Sequence, residues 1–108
     1  VGGNSSIIFF GNNEYDIVET KTLDSFNISE KIKLFKIEAE GFEPEVLLGS
    51  KKTLKLVEFV TIDFGSERGE NQENTVVQSN NILTSCGFEL VEFSNFRTIG
   101  LYKNTLFK

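Results

Sequence analysis

The 108-residue sequence has no histidine, tryptophan or methionine, and it has one cysteine and one proline. Without histidine, the chain lacks the side chain that most often serves as a general base near neutral pH, and every His-containing zinc site is excluded. A single cysteine, Cys86, excludes an internal disulfide and a four-cysteine metal cluster. No stretch approaches the ~20 apolar residues of a membrane span. Positive charge is scarce, with 11 basic against 16 acidic residues and a net charge of −5. That balance argues against a phosphate-binding surface as the main function, although net charge does not exclude a local basic patch. No internal repeat and no low-complexity segment is present. The chain opens on Val1 and shows no basic segment followed by an apolar leader, so a processed product or a fragment is expected, located in the cytoplasm. Apolar residues make up 39%, and eleven phenylalanines supply large buried area for a modest core.

Turn and periodicity signals divide what remains. Ile7 to Phe10, closed by Gly11-Asn12-Asn13, and Ile17 to Thr22 read as the strands of a hairpin. Asp24 is a good N-cap for a short helix or turn over residues 25–31. Ile32 to Ile37 (IKLFKI) reads as a mostly buried strand. Glu43-Pro44 then opens a helix, with Val46, Leu47, Ser50 and Leu54 at helical spacing and Lys51, Lys52 and Lys55 toward its negative end. Glu58 to Phe64 (EFVTIDF) is a second buried strand, followed by a polar loop over residues 65–74. Asn74 or Thr75 caps a helix that ends before Gly87. Two final strands, 88–93 and 98–103, have a connection short enough only for an antiparallel hairpin. The order strand–helix–strand–helix–strand predicts an α/β fold with mostly parallel strands and a reversed last strand. The chain reads as one partial domain over 1–108, with the hairpin and short helix in 1–31 and the α/β unit in 32–108.

In open parallel sheets ligands bind beyond the carboxyl ends of the strands. One such end carries Glu38, Glu40 and Glu43, and the next carries Asp63, with Glu67 and Arg68 in the loop beyond. Carboxylates at neighbouring strand ends can serve as general base, hydrogen-bond acceptor or hard-metal ligand. The plainer alternative is that Glu43 caps a helix while Glu38 and Glu40 are solvated or bind backbone amides. Arg68 and Arg97 could hold a substrate anion. Cys86 reads as a small core residue, and the Lys51–Lys55 cluster as a solvated helix face. No phosphate-cradling glycine loop is present, because the 65–69 segment lacks the fingerprint spacing and the P-loop lysine.

The stretch Leu34 to Ser50, LFKIEAEGFEPEVLLGS, resembles the central motif of the FkbM-type methyltransferase family, Lys-Ile-Asp-Val-Glu-Gly-x-Glu followed by Val-Leu-x-Gly. Val18 to Phe26 resembles the family's Thr-Leu-Asp segment, Phe59 to Gly65 its next strand, and Gly87 to Val91 the strand after. The family's Asp is Glu38 here. The resemblance implies the carboxyl-terminal half of a Rossmann-like class I methyltransferase sheet, with IKLFKI as the fourth strand. It further implies S-adenosylmethionine as cofactor and O-methylation of a small hydroxylated acceptor such as a sugar or polyketide. The strands that would hold the cofactor are not in this chain, so it is expected to contain no cofactor-binding residues and to be inactive alone. Glu38 and Asp63 are the expected catalytic residues, and Glu40, Glu67 and Arg68 the expected substrate-binding ones. No metal, nucleic acid or membrane is expected to take part. Self-association through an exposed strand edge is expected. A non-catalytic α/β interaction or structural module is the alternative reading, and a divalent-metal site at the strand ends a third.

Overall fold

The computed structural model describes residues 3–9 and 15–108, with side chains from residue 20 onward. Gly3–Phe9 (β1) and Tyr15–Lys21 (β2) pair antiparallel as a separate two-stranded sheet, with Ile7 opposite Ile17. The expected turn Gly11-Asn12-Asn13 lies outside the described residues.

The main sheet holds Ile32–Ile37 (β3), Val57–Asp63 (β4), Phe88–Ser94 (β5) and Ile99–Asn104 (β6), in the order β3-β4-β6-β5. β3 and β4 are parallel, with Ile37 opposite Ile62, while β6 pairs antiparallel with both β4 and β5. The sheet is therefore mixed: β3, β4 and β5 run in one direction and the last strand β6 is reversed as expected, but only one of the three ladders, β3–β4, is parallel. The reason is geometric. The short connection turns β6 back along β5, and β6 then inserts beside β4, which separates the two strands that a crossover would have paired. The last strand is reversed, as its loop length requires.

IKLFKI is not the mostly buried strand that its composition suggested, but β3 is the open edge expected where the first strands are missing, and its outer side has no partner strand among the described residues. Lys33, Leu34 and Lys36 are exposed, Leu34 to 53%, and Ile37 is its one fully buried residue. An apolar run does not by itself distinguish a central strand from an edge strand whose neighbour is absent. EFVTIDF is buried on one side as expected. Val60, Ile62 and Phe64 join Ile37, Leu47, Leu54, Leu83, Phe88 and Tyr102 in the core.

Three helices supply the other side of that core: Glu43–Leu48 (α1), Lys51–Leu54 (α2) and Val76–Ser85 (α3). The single helix expected after Pro44 is interrupted at Gly49 and Ser50. The Ser50 hydroxyl donates to the Val46 carbonyl (2.6 Å), which would otherwise accept the next helical amide. Gly87 follows α3 in the left-handed region (φ 91°), as a C′ glycine should. Among the described residues, no helix is long and apolar enough to cross a membrane.

The segment after β2 is a 3-10 helix, Leu23–Phe26, and Thr22 rather than Asp24 is its N-cap. Asp24 caps a different helix. Its carboxylate accepts hydrogen bonds from the backbone N–H of Lys52 (2.9 Å) and of Thr53 (2.8 Å) and from the Thr53 hydroxyl (2.7 Å). These satisfy the start of α2, where Ser50 makes no side-chain cap bond. The Asp24 N–H also donates to the Gly49 carbonyl (2.9 Å). The Thr22-Leu23-Asp24 segment is thus a clip between the chain after β2 and the α1–α2 junction.

Burial pushes the Asp24 carboxyl up, but the bonds from Lys52 and Thr53 and the Lys52 charge outweigh it, and the net shift is below the ordinary 3.8. A carboxylate lowered by folding stabilises the fold above its unfolded pKa, and that contribution is lost as pH falls through the lower folded value. Asp24→Asn is therefore expected to cost about 1 kcal/mol at neutral pH, with the difference from wild type shrinking toward acid. Urea midpoints measured from neutral pH down to pH 2 test this, and a pH-independent difference would refute it.

Candidate active site at the strand ends

The turn leaving β3 runs Glu38-Ala39-Glu40-Gly41-Phe42 before α1 begins. Glu43, the first residue of α1, is only 1% exposed. One of its carboxylate oxygens accepts the backbone N–H of Ala39 (3.0 Å) and of Gly41 (3.0 Å). The other accepts the hydroxyl of Thr75 (2.8 Å), the residue that leads into α3. Glu43 therefore holds the turn in place as a buried, fully bonded carboxylate. Its position in the first turn also suits the helix dipole.

Gly41 has φ 102°, and a Cβ on it would lie 2.8 Å from the Glu67 carbonyl oxygen and 2.9 Å from the Arg68 Cα. Only glycine fits where the loop after β4 crosses the turn after β3. Arg68 fastens this crossing. Its guanidinium donates to both carboxylate oxygens of Glu45 (2.7 and 2.6 Å) and to the Gly41 carbonyl (2.6 Å). Arg68, expected to hold a substrate anion, is thus committed to partners within the chain. The loop beyond it closes through paired backbone bonds between Arg68 and Glu73.

The remaining acidic residues face outward. Parallel pairing of Ile37 with Ile62 brings Glu38 and Asp63 to neighbouring strand ends. Both line one cavity of about 420 Å³, together with Lys36, Ile37, Thr61, Ile62, Arg97 and Ile99. Glu38 is exposed and lies 3.6 Å from the Lys36 ammonium. Asp63 is half-buried, and its Oδ1 accepts the Gly65 N–H (2.9 Å). Glu40 is exposed, with a left-handed backbone (φ 49°). Partial desolvation, then the charges of Glu40, Asp63, Glu43 and Glu38, push the Glu67 carboxyl above its ordinary 4.5.

Three features of this rim carried no strong signal in the sequence. Arg97 lines the same cavity as Glu38 and Asp63, although it comes from the β5–β6 turn. Its neighbour Phe96 is 95% exposed, and Phe42 is also exposed. Gly65 lets the backbone pass close to two carboxylates: a Cβ there would crowd Asp63 Oδ1 at 3.1 Å and Glu67 Oε1 at 3.2 Å. Among the described residues, no group of three His, Cys, Asp or Glu side chains is arranged to hold a metal ion.

Gly41→Ala is expected to destabilise the fold by about 1–3 kcal/mol, because it forces a left-handed backbone on alanine and a clash with backbone atoms. A urea midpoint equal to that of wild type would show that the two loops do not cross here.

Neither the curated proteins nor the solved structures contain a match to the chain. A family model for the methyltransferase FkbM domain, in contrast, matches residues 2–90. That span takes in β3, the Glu43-anchored turn, α1 and β4, so the paired strand ends and the segments fastened around them are what the match covers. The chain belongs to the methyltransferase FkbM domain family.

Proposed function

We propose that this chain is the carboxyl-terminal half of a Rossmann-like, S-adenosylmethionine-dependent O-methyltransferase, and that it supplies the acceptor side of the active site. The family match supports methyl transfer. The observation that carries the rest is Glu38 and Asp63 at the ends of two parallel strands, lining one cavity with Lys36 and Arg97. The reversed β6 between β4 and β5 agrees with the sheet that the family resemblance implies. The open edge of β3 is then where further strands, or a second copy of the chain, would pair.

Among the described residues, the 65–69 segment does not fit the cofactor. The 65–69 segment is folded against Gly41 and closed by the Arg68–Glu73 bonds, so it is not an open glycine cradle. The carboxylates beside it are suited to hydroxyl groups. In this reading an acceptor hydroxyl donates to Asp63 or Glu38, which orients its oxygen and takes up its proton. Glu67, held above its ordinary pKa, is a second acceptor close to Asp63 across the Gly65 backbone. Glu40 borders the same rim, and the exposed Phe42 and Phe96 offer apolar surface to a ring. A small hydroxylated acceptor, sugar-like or polyketide-like, fits this mixture.

Two measurements test the reading. In the full-length polypeptide, Glu38→Gln and Asp63→Asn should each lower methyl transfer from S-adenosylmethionine at least tenfold, with an unchanged urea midpoint. Wild-type rates in both variants would end it. Calorimetry of residues 1–108 with S-adenosylmethionine should give no saturable heat, and tight binding would overturn the division of labour proposed here.

A further inference from the structure

A second cavity lies at the other end of the sheet. It has a volume of about 730 Å³ and is lined by Asp24, Lys51, Lys52, Leu54, Lys55, Ser85, Cys86, Asn104 and Leu106. These residues surround the amino-terminal ends of β4 and β5 and the carboxyl end of β6, away from Glu38 and Asp63. The volume falls in the range of small-ligand pockets.

Its two sides differ in chemistry. One side is apolar and fixed. Leu54 is buried, and the buried Asn104 side chain donates to the carbonyls of Leu54 (3.3 Å) and Val57 (2.8 Å). Leu106 is held by its own N–H to Asn104 Oδ1 (2.9 Å), and the preceding Thr105 donates from its N–H and its hydroxyl to the Gly87 carbonyl (2.9 and 2.7 Å). The Leu106 side chain lies where a Cβ on Gly87 would be, 2.6 Å from its Cδ1. Yet Leu106 remains 69% exposed, a leucine held in position with most of its surface in water. The other side is cationic. Lys52 reaches Asn27 Oδ1 (3.4 Å), while Lys51 and Lys55 have no acidic partner among the described residues. Three ammonium groups on one cavity stand out in a chain of net charge −5.

The same geometry narrows the anion. The amides at the start of α2 that could bind a phosphate are taken by Asp24. No arginine lines the cavity, so there is no bidentate fork. Lysines act as point charges toward an anionic head group, while the exposed Leu106 and the half-buried Cys86 above the buried Leu54 suit an alkyl chain. We propose that this cavity binds a single-chain anionic amphiphile of the fatty-carboxylate class, its carboxylate among Lys51, Lys52 and Lys55 and its chain along Leu106 and Cys86. The site is independent of the methyl-transfer rim.

The probe is dodecanoate, titrated below its micelle concentration into the full chain and followed by calorimetry. Saturable one-to-one binding is expected, at least tenfold tighter than for dodecanol, which has the same chain length without the charge. Inorganic phosphate should show no binding. The double variant Lys51→Gln/Lys55→Gln and the single variant Leu106→Gln, at a wild-type urea midpoint, should each weaken dodecanoate at least tenfold. The proposal is overturned if dodecanoate does not saturate, if dodecanol binds equally well, if folded variants bind like wild type, or if association occurs only with anionic phospholipid vesicles. The dodecanol comparison decides the matter even where a variant fails to fold.

Discussion

The arrangement at the strand ends depends on one buried carboxylate. Glu43 collects the amides of Ala39 and Gly41 with one oxygen and the Thr75 hydroxyl with the other. Three pieces of chain that are distant in sequence or direction are joined at that point: the turn leaving β3, the first turn of α1 and the entry to α3. A buried charge is costly unless its acceptor positions are filled. Here each oxygen has a donor, so the carboxylate specifies one path for the turn. The Gly41 contact and the Arg68–Glu45 pair then fasten the loop after β4 onto that path. The exposed carboxylates have fixed positions because the buried one does.

Much of the Glu-x-Glu-Gly-x-Glu-Pro-Glu run is therefore scaffold. Glu43 and Glu45 are both engaged inside the molecule, while Glu38 and Glu40 are left outward. Residues of the same type three to seven positions apart have opposite roles, and the difference arises from what the next loop brings to them. Exposed ion pairs contribute little to stability. The weak, largely exposed Lys36–Glu38 contact accordingly leaves Glu38 available to other partners.

The sequence was readable where local chemistry decides the outcome. Pro44 at a helix start, Gly87 beyond a helix end and the short β5–β6 connection each dictate their structure through backbone geometry alone. The placement of Glu38 and Asp63 at neighbouring strand ends followed from the strand–helix–strand order. What could not be read depends on long-range partners. IKLFKI has the composition of a central strand, and its exposure is decided by the absence of a neighbour. Asp24 has the residue type of a cap, but the helix it caps begins 27 residues later. Ser50 fits helical spacing, and its hydroxyl still interrupts the helix. Arg68 looked available for an anion until the fold brought Glu45 to it. The mixed pairing of the sheet escaped the pattern because strand order, unlike strand direction, leaves little trace in local hydrophobicity.

The position of β6 has a kinetic side. It is the latest strand in sequence, yet it lies between β4 and β5, which have no direct ladder with each other. During synthesis β3 and β4 can pair as soon as they emerge, but β5 has nowhere to dock until β6 has also left the ribosome. Until then Val60 of β4 and Leu90 of β5 are without their shared partner Tyr102, leaving sticky surface open to chaperones or to aggregation. Sheet closure through such distant pairing is slow compared with local hairpin formation. A nascent chain stalled before residue 99 would hold the β3–β4 pair and an unpaired β5.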